Sequence, residues 1–130
     1  MKTLNGLLDT NLFIDLLRSY QPALQWMQGN RQQILGIPSI VRMELVWGAR
    51  NKVELQRIVK LVNPFPVIHL TQADSVWAMR QFESYHLSHQ IEIADCFIGA
   101  MSTRFTLPIY TRNARDFKVL PGVTVHVPYT

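Results

Sequence analysis

Leu4-Asn5-Gly6-Leu7-Leu8-Asp9 is a short apolar run that ends on a carboxylate and passes at once into Thr10-Asn11-Leu12-Phe13-Ile14, where the apolar spacing becomes helical. Further runs of strand length fall at 34–37, 65–70, 107–110 and 123–127. Between them, helical periodicity predicts helices over 11–19, 22–29, 39–49, 52–62, 72–87 and 92–105. Strands that are apolar throughout, and not merely on alternate residues, must be covered on both faces. Their alternation with helices makes the sheet parallel. Local chemistry supports the boundaries: Thr71 with Asp74, and Asn51 with Glu54, have the spacing of an N-cap and an acid at the third helical position, and Ser39 after Pro38 is a candidate cap. Gly29-Asn30, Asn63-Pro64 and Pro121-Gly122 punctuate the joins, and no repeat, low-complexity segment or linker interrupts them.

A chain of 130 residues that is 48% hydrophobic predicts one compact domain over 1–130, with enough apolar surface to need no staples. Its single cysteine, Cys96, cannot form an internal disulfide. The chain shows no basic-then-apolar leader and no apolar run of membrane-spanning length. A reducing, cytoplasmic setting without a membrane is the expectation.

The nine acidic residues carry the functional signal. Asp9 closes the first strand, and the carboxyl edge of an open parallel sheet is where ligands bind; it can also cap the helix that follows. Glu44 interrupts Ile40-Val41-Arg42-Met43-Glu44-Leu45-Val46-Trp47. At ~100° per residue, Arg42 and Arg50 fall within ~80° of each other while Glu44 is ~200° from Arg42. Glu44 therefore shares a stripe with Ile40, Trp47 and Gly48, which reads as a core stripe carrying one charge; pairing with an arginine is the alternative. Asp95 lies inside Ile91-Glu92-Ile93-Ala94-Asp95-Cys96-Phe97-Ile98, on a helix with no basic residue before Arg104. Asp116 follows the strand at 107–110 through Thr111-Arg112-Asn113. Buried carboxylates that repel one another need a compensating cation, and a divalent metal ion is the simplest.

The other acids have ordinary readings as surface residues. Asp15 precedes Arg18 by three, Glu83 follows Arg80 by three, and Glu54 and Asp74 occupy first helical turns that favour negative charge. Glu92 also falls in a first turn, but its position three residues before Asp95 leaves open a supporting role at the site. If Asp9, Glu44, Asp95 and Asp116 gather in one pocket, the other five acids stand against 13 basic residues, a balance of +8 that would attract a polyanion such as nucleic acid.

Rival chemistries find little support. His86 and His89 lack partners at zinc spacing, and His69 and His126 are isolated. There is no Gly-rich phosphate loop, and Cys96 in an apolar helix reads as core. Trp26, Trp47 and Trp77 read as core or interface residues. A phosphatase with Asp9 as nucleophile would need a second aspartate where Asn11 stands.

Four motifs now stand in order: Leu7-Leu8-Asp9-Thr10-Asn11, Ser39 to Trp47 around Glu44, Ile93-Ala94-Asp95-Cys96-Phe97-Ile98-Gly99-Ala100, and Thr111-Arg112-Asn113-Ala114-Arg115-Asp116-Phe117. Together they resemble a PIN domain, in the short form of the VapC-type toxins of bacterial toxin–antitoxin pairs. The resemblance covers nearly the whole chain. It implies a three-layer α/β/α domain and a Mg²⁺- or Mn²⁺-dependent endoribonuclease, with Asp9, Glu44, Asp95 and Asp116 matching the family's four acids in order. Asp116 falls at the most variable of these positions. Thr10 and Asn11 match the polar residues that shape the first loop, and Thr111 and Asn113 those around the fourth acid. Gly99 stands where many relatives carry alanine. Arg112 and Arg115, which flank Asp116, are candidates to grip RNA backbone or are solvated surface charges. The implied partners are RNA, a second copy of the chain, and an antitoxin whose tail arginine pairs with the acids while its apolar surface covers Trp47 and the helix over 52–62. A PIN-like RNA-binding domain without turnover, and an RNA-processing nuclease outside a toxin–antitoxin pair, remain the alternatives.

Overall fold

A computed structural model describes residues 3–130. The run after Asn5 forms β1 (Gly6–Leu8), and Asp9 turns the chain into α1 (Thr10–Leu17) and then α2 (Gln21–Gly29). A second strand, β2 (Leu35–Pro38), leads into α3 (Ser39–Trp47) and α4 (Lys52–Val62), and β3 (Val67–Ile68) into α5 (Gln72–Tyr85) and α6 (Ile93–Phe105). The chain ends through β4 (Ile109–Tyr110), a single 3-10 turn at Ala114–Phe117, and β5 (Val125–His126). Every strand pair is parallel, in the order β3-β2-β1-β4-β5.

The central position of β1 decides where the site can be. Leu7 lies opposite Gly36 on one side and Ile109 on the other. The chain builds outward from β1 through β2 to β3, then crosses to the far side to lay down β4 and β5. At such a reversal of direction the connections beyond adjacent strand ends leave in opposite directions and open a crevice, here beyond the carboxyl ends of β1 and β4.

Burial of β1 is complete, and its two leucines serve different clusters. Leu7 packs with Ile68 and Met101, whereas Leu8 joins the main core of Leu12, Phe13, Ile37, Val41, Ile98 and Phe117. Consecutive strand side chains point to opposite faces, so both faces of the sheet are covered by helices. This is the α/β architecture the apolar runs predict, although each strand is shorter than its run because the ladder is confined to the middle of the sheet. Gly99 on α6 marks close packing, since an added methyl would lie 2.8 Å from Leu120 Cδ1 and 3.4 Å from the Trp77 ring.

Besides Asp9, which caps α1, two of the anticipated caps form. Thr71 and Asp74 bond reciprocally, the hydroxyl accepting from Asp74 N–H at 3.1 Å and the carboxylate from Thr71 N–H at 3.0 Å, and Asn51 accepts from Glu54 N–H at 2.9 Å. Ser39 does not cap. Pro38 ends β2 and the strand runs directly into α3, which makes Ser39 the first helical residue. No helix among the described residues is long and apolar enough to cross a membrane.

Two acids expected on the surface are buried. Asp74 is 2% exposed and holds Arg104 at 2.8 Å; Asp15 is 7% exposed and accepts from Arg112 Nη1 at 3.1 Å and from the Tyr129 hydroxyl at 2.7 Å. Their cations lie 30 and 97 residues away in the chain, so near-neighbour spacing, which proposed Arg18 for Asp15, could not find them. Glu83 and the Arg50–Glu54 pair do lie toward solvent as expected.

Candidate active site at the carboxyl ends of the strands

Asp9 is the first residue beyond β1, its N–H still bonded to Tyr110 C=O at 3.1 Å, so its carboxyl group is delivered to the mouth of the crevice. One oxygen accepts from Thr10 N–H at 2.7 Å and the other from the Thr111 hydroxyl at 2.8 Å. Thr111, the first residue beyond β4, is fully buried. Its oxygen also accepts from the Asn11 side-chain amide and from Asn113 N–H, each at 3.0 Å. Both lone pairs are then occupied, and the one hydroxyl proton must point at Asp9. Asn11 in turn accepts from Arg112 N–H at 3.1 Å. Thr111, matched by resemblance to the surroundings of the fourth acid, in fact fixes the first. The two lie 102 residues apart, and nothing local in the sequence couples them.

The second carboxylate comes from α3. Glu44 is half-buried and accepts from the Thr10 hydroxyl at 3.1 Å, which ties it to the loop that carries Asp9. Its stripe is not core: Trp47, one turn on, is 89% exposed and Gly48 is also exposed. The stripe lies along the open end of the sheet, where helical periodicity cannot separate an edge facing a crevice from one facing the interior. Asp95, 7% exposed in the first turn of α6, accepts from Glu92 N–H at 3.3 Å. Asp116 is half-buried in the 3-10 turn that follows β4, and its N–H bonds to Asn113 C=O.

Electrostatics tie these groups together. Burial pushes the Asp95 carboxyl up to about 7; the Glu92 N–H opposes the rise, and the charges of Asp116, Asp9 and Glu92 add to it. Burial likewise raises Asp9, against the Thr10 N–H and Thr111 hydroxyl, with Asp116 and Glu92 adding repulsion. Glu44 is raised by burial against the Thr10 hydroxyl, and Asp9 and Glu92 push the same way. Glu92, exposed at the start of α6, thus acts on three of the four acids and makes a fifth carboxylate at the crevice. Its spacing from Asp95 was the one sequence signal for this.

The donor chemistry fits a hard divalent cation, since Asp and Glu oxygens are the ligands such ions take and a cation would relieve the repulsion that raises these acids. As they stand, no three His, Cys, Asp or Glu groups among the described residues converge closely enough to hold one ion. Asp9, Glu44 and Asp95 are instead each turned toward a hydroxyl or backbone amide donor. Arg112 does not offer its guanidinium to the crevice: it is bound to Asp15 and lies 5.2 Å from the Tyr20 ring centroid and 5.8 Å from that of Tyr129. Arg115 is exposed beside Asp116.

Residues 6–123 match the family model of the PIN domain. The chain belongs to the PIN domain family. Among solved structures, this PIN domain is similar to a chain of a toxin–antitoxin complex from Klebsiella pneumoniae, with 28% identity, a TM-score of 0.77, and 96% of this chain and 98% of that one covered. A chain of the DNA-bound VapBC complex from Salmonella typhimurium shares the fold at 20% identity and a TM-score of 0.76, over 95% and 98% of the two chains. So does a chain of FitAcB from Neisseria gonorrhoeae, at 21% identity and a TM-score of 0.75, over 94% and 96%. No curated protein matches the sequence. The α/β fold is the one the resemblance implied, and within it Asp9 stands at the tip of the central strand.

Proposed function

We propose that this protein is a metal-dependent endoribonuclease, one catalytic domain acting as the toxin of a type II toxin–antitoxin pair. The observation that carries the reading is that Asp9, Glu44, Asp95 and Asp116, from four separate elements, border one sheet edge, where burial and neighbouring carboxylates raise the proton affinity of the first three and no basic side chain among the described residues is paired with them. Surplus negative charge of this kind disfavours folding unless a cation is to be bound there.

In this reading Asp9 and Asp95 hold a Mg²⁺ or Mn²⁺ ion directly, Glu44 takes the ion or its water, and Asp116 helps to hold it or to activate the nucleophile. When bound, such an ion lowers the pKa of a coordinated water and neutralises charge developing on the phosphate. The protein's part is positional. The Thr10 N–H and the Thr111 hydroxyl each hold one Asp9 oxygen and so fix the plane of its carboxylate, the Thr10 hydroxyl ties Glu44 to the same loop, and the Glu92 N–H orients Asp95. Arg115 is a candidate contact for RNA.

The partner chemistry follows from two surfaces. The acid crevice suits a guanidinium, and beside it α3 and α4 expose Met43, Trp47 and Val53, at 61%, 89% and 67%. An antitoxin with a tail arginine and an apolar helix would occupy both, and the similar solved chains come from toxin–antitoxin complexes. A homodimer in a reducing cytoplasm completes the proposal.

The deciding experiment incubates purified protein with RNA and Mg²⁺ or Mn²⁺, with and without EDTA, beside Asp95→Asn. Metal-dependent cleavage by the parent chain that vanishes in the folded variant is expected. RNA binding without cleavage in any metal would leave the non-catalytic RNA-binding reading.

A further inference from the structure

Two contiguous grooves run past Asp116, one of about 550 Å³ and one of about 600 Å³, and they share His89, Gln90, Ile91 and Asp116. The first is bordered by the carboxylates of Glu92 and Asp116; the second continues from Asp116 between Arg115 and Lys118. Together they form a channel with a carboxylate pole and a cationic pole. The three ion-paired arginines among the described residues, Arg50, Arg104 and Arg112, lie outside it, while Arg115 and Lys118 make no ion pair and are exposed. His89 sits at the boundary with its ring held in place: Nδ1 is 2.8 Å from Ser88 Oγ, and the ring meets Tyr85 edge-on with centroids 5.7 Å apart. Nε2 is thereby left as the ring atom that can bond a ligand.

We infer that the Arg115–Lys118 groove seats the RNA phosphodiester next to the one being cut, with Arg115 and Lys118 gripping its oxygens and His89 Nε2 bonding at the junction of the two grooves. This rests on the ribonuclease reading above. A strand whose scissile phosphate lies at the carboxylate pole must continue somewhere, and the cationic groove leads directly from it. The groove offers the two cations, the imidazole and no open aromatic face, since Tyr85 is occupied by His89. It therefore grips backbone and does not read bases. Sequence choice is left to surfaces elsewhere.

The test is binding of a fluorescent single-stranded oligoribonucleotide to the full chain in EDTA, by anisotropy across a salt series. The parent chain is compared with the double variant Arg115→Ala/Lys118→Ala, with His89→Ala, and with the control Lys60→Ala/Arg80→Ala, whose cations line neither groove. Loss of two phosphate contacts should lower the slope of log affinity against log salt by about 1.4, at ~0.7 per contact for single strands. His89→Ala should weaken binding about threefold, as for one hydrogen bond. The control should match the parent, and circular dichroism should show all variants folded. An unchanged slope, an equal loss in the control, or absence of RNA binding by the parent would each overturn the assignment. Cleavage of the same oligonucleotide in Mg²⁺ or Mn²⁺ is scored in parallel. No cleavage despite the slope change sinks the ribonuclease reading and leaves the groove as an RNA-backbone site with no cut phosphate beside it; cleavage with an unchanged slope sinks the groove alone.

Discussion

Asp95 and Asp74 are buried to nearly the same degree, 7% and 2% exposed, both in the first turn of a helix, yet their chemistry diverges. Burial pushes both up. For Asp74 the Arg104 guanidinium, the Thr71 N–H and the arginine's charge together overturn that and hold the acid below its ordinary value. For Asp95 a single weak N–H opposes burial, three further carboxylates reinforce it, and the group rises to about 7. Asp15 and Asp9 show the same difference in partners at matching burial: Asp15 has Arg112 and Tyr129, whereas Asp9 has hydroxyl and amide donors and no cation among the described residues. Burial of an acid thus says little about function. The absence of a cationic partner is what distinguishes a site from a structural pair.

The contrast fails most visibly if the wrong acids control activity. Asp95→Asn should abolish metal-dependent RNA cleavage by ~10²-fold or more while the protein stays folded, measured by initial rates alongside circular dichroism. Asp95 suits this test better than Asp9. It accepts one N–H, which an amide oxygen can still take, whereas an amide at position 9 would set an N–H against Thr111, whose lone pairs are already occupied.

Arg104→Ala should do the reverse. Stranding Asp74 is expected to destabilise the protein by about 3–5 kcal/mol in chemical denaturation, with the cleavage rate of the folded fraction unchanged. Replacing the pair together, Asp74→Leu with Arg104→Met, should recover much of the loss. A destabilisation that persists in the double variant would show that the capping bond to Thr71, and not the charge pair, holds the region.

The two acids should also impose opposite pH dependences. Asp95 has a folded value above its unfolded one, so its contribution to stability is fully present below about pH 4 and is lost as the pH rises through about 7, with a slope near 1.4 kcal/mol per pH unit in that window. Asp74, lowered, contributes above its ordinary value and loses that contribution as the pH falls through its folded one. In EDTA, Asp95→Asn should therefore raise stability at pH 8 by roughly 1–4 kcal/mol and flatten the melting-temperature profile between pH 4 and 7. An unaltered profile would mean that burial and its carboxylate neighbours do not raise Asp95 in solution.

The smallest effect probes the scaffold of the site. Thr111→Val strands one carboxylate oxygen and the N–H groups of Asn11 and Asn113, and should destabilise the protein by about 1–3 kcal/mol. Metal affinity, read by calorimetry, should fall ~10-fold. Thr111→Ser should restore both.

Much of the fold was legible because its signals are local. Apolar runs, helical spacing and the Thr71 and Asn51 caps involve residues a few positions apart, and the order of strands and helices followed from them. The 3-10 turn at Ala114–Phe117 was not legible: its four residues carry no periodicity long enough to read. Among site residues, Asp9 could be singled out because it closes the first strand at the sheet's carboxyl edge, and Asp95 because its helix carries no basic residue before Arg104. Local spacing misread Asp15, three residues before Arg18, and a first-turn position misread Asp74, because their cations arrive from distant elements; Arg112, offered to RNA because it flanks Asp116, is already held by Asp15.

By itself the sequence determined the alternation of strands and helices, the parallel sheet, and the acidic motifs that place the chain among PIN domains, since each depends on residue types at short spacing. Tertiary structure alone decided which acids are neutralised, that Thr111 orients Asp9, that Glu92 joins the cluster, and that Arg115 and Lys118 border a groove beginning at Asp116. The physical reason is that a charge acts through space. Its environment is set by whatever the fold brings within a few ångströms, and at this sheet edge the fold gathers β1, β4, α3 and α6 from across nearly the whole chain.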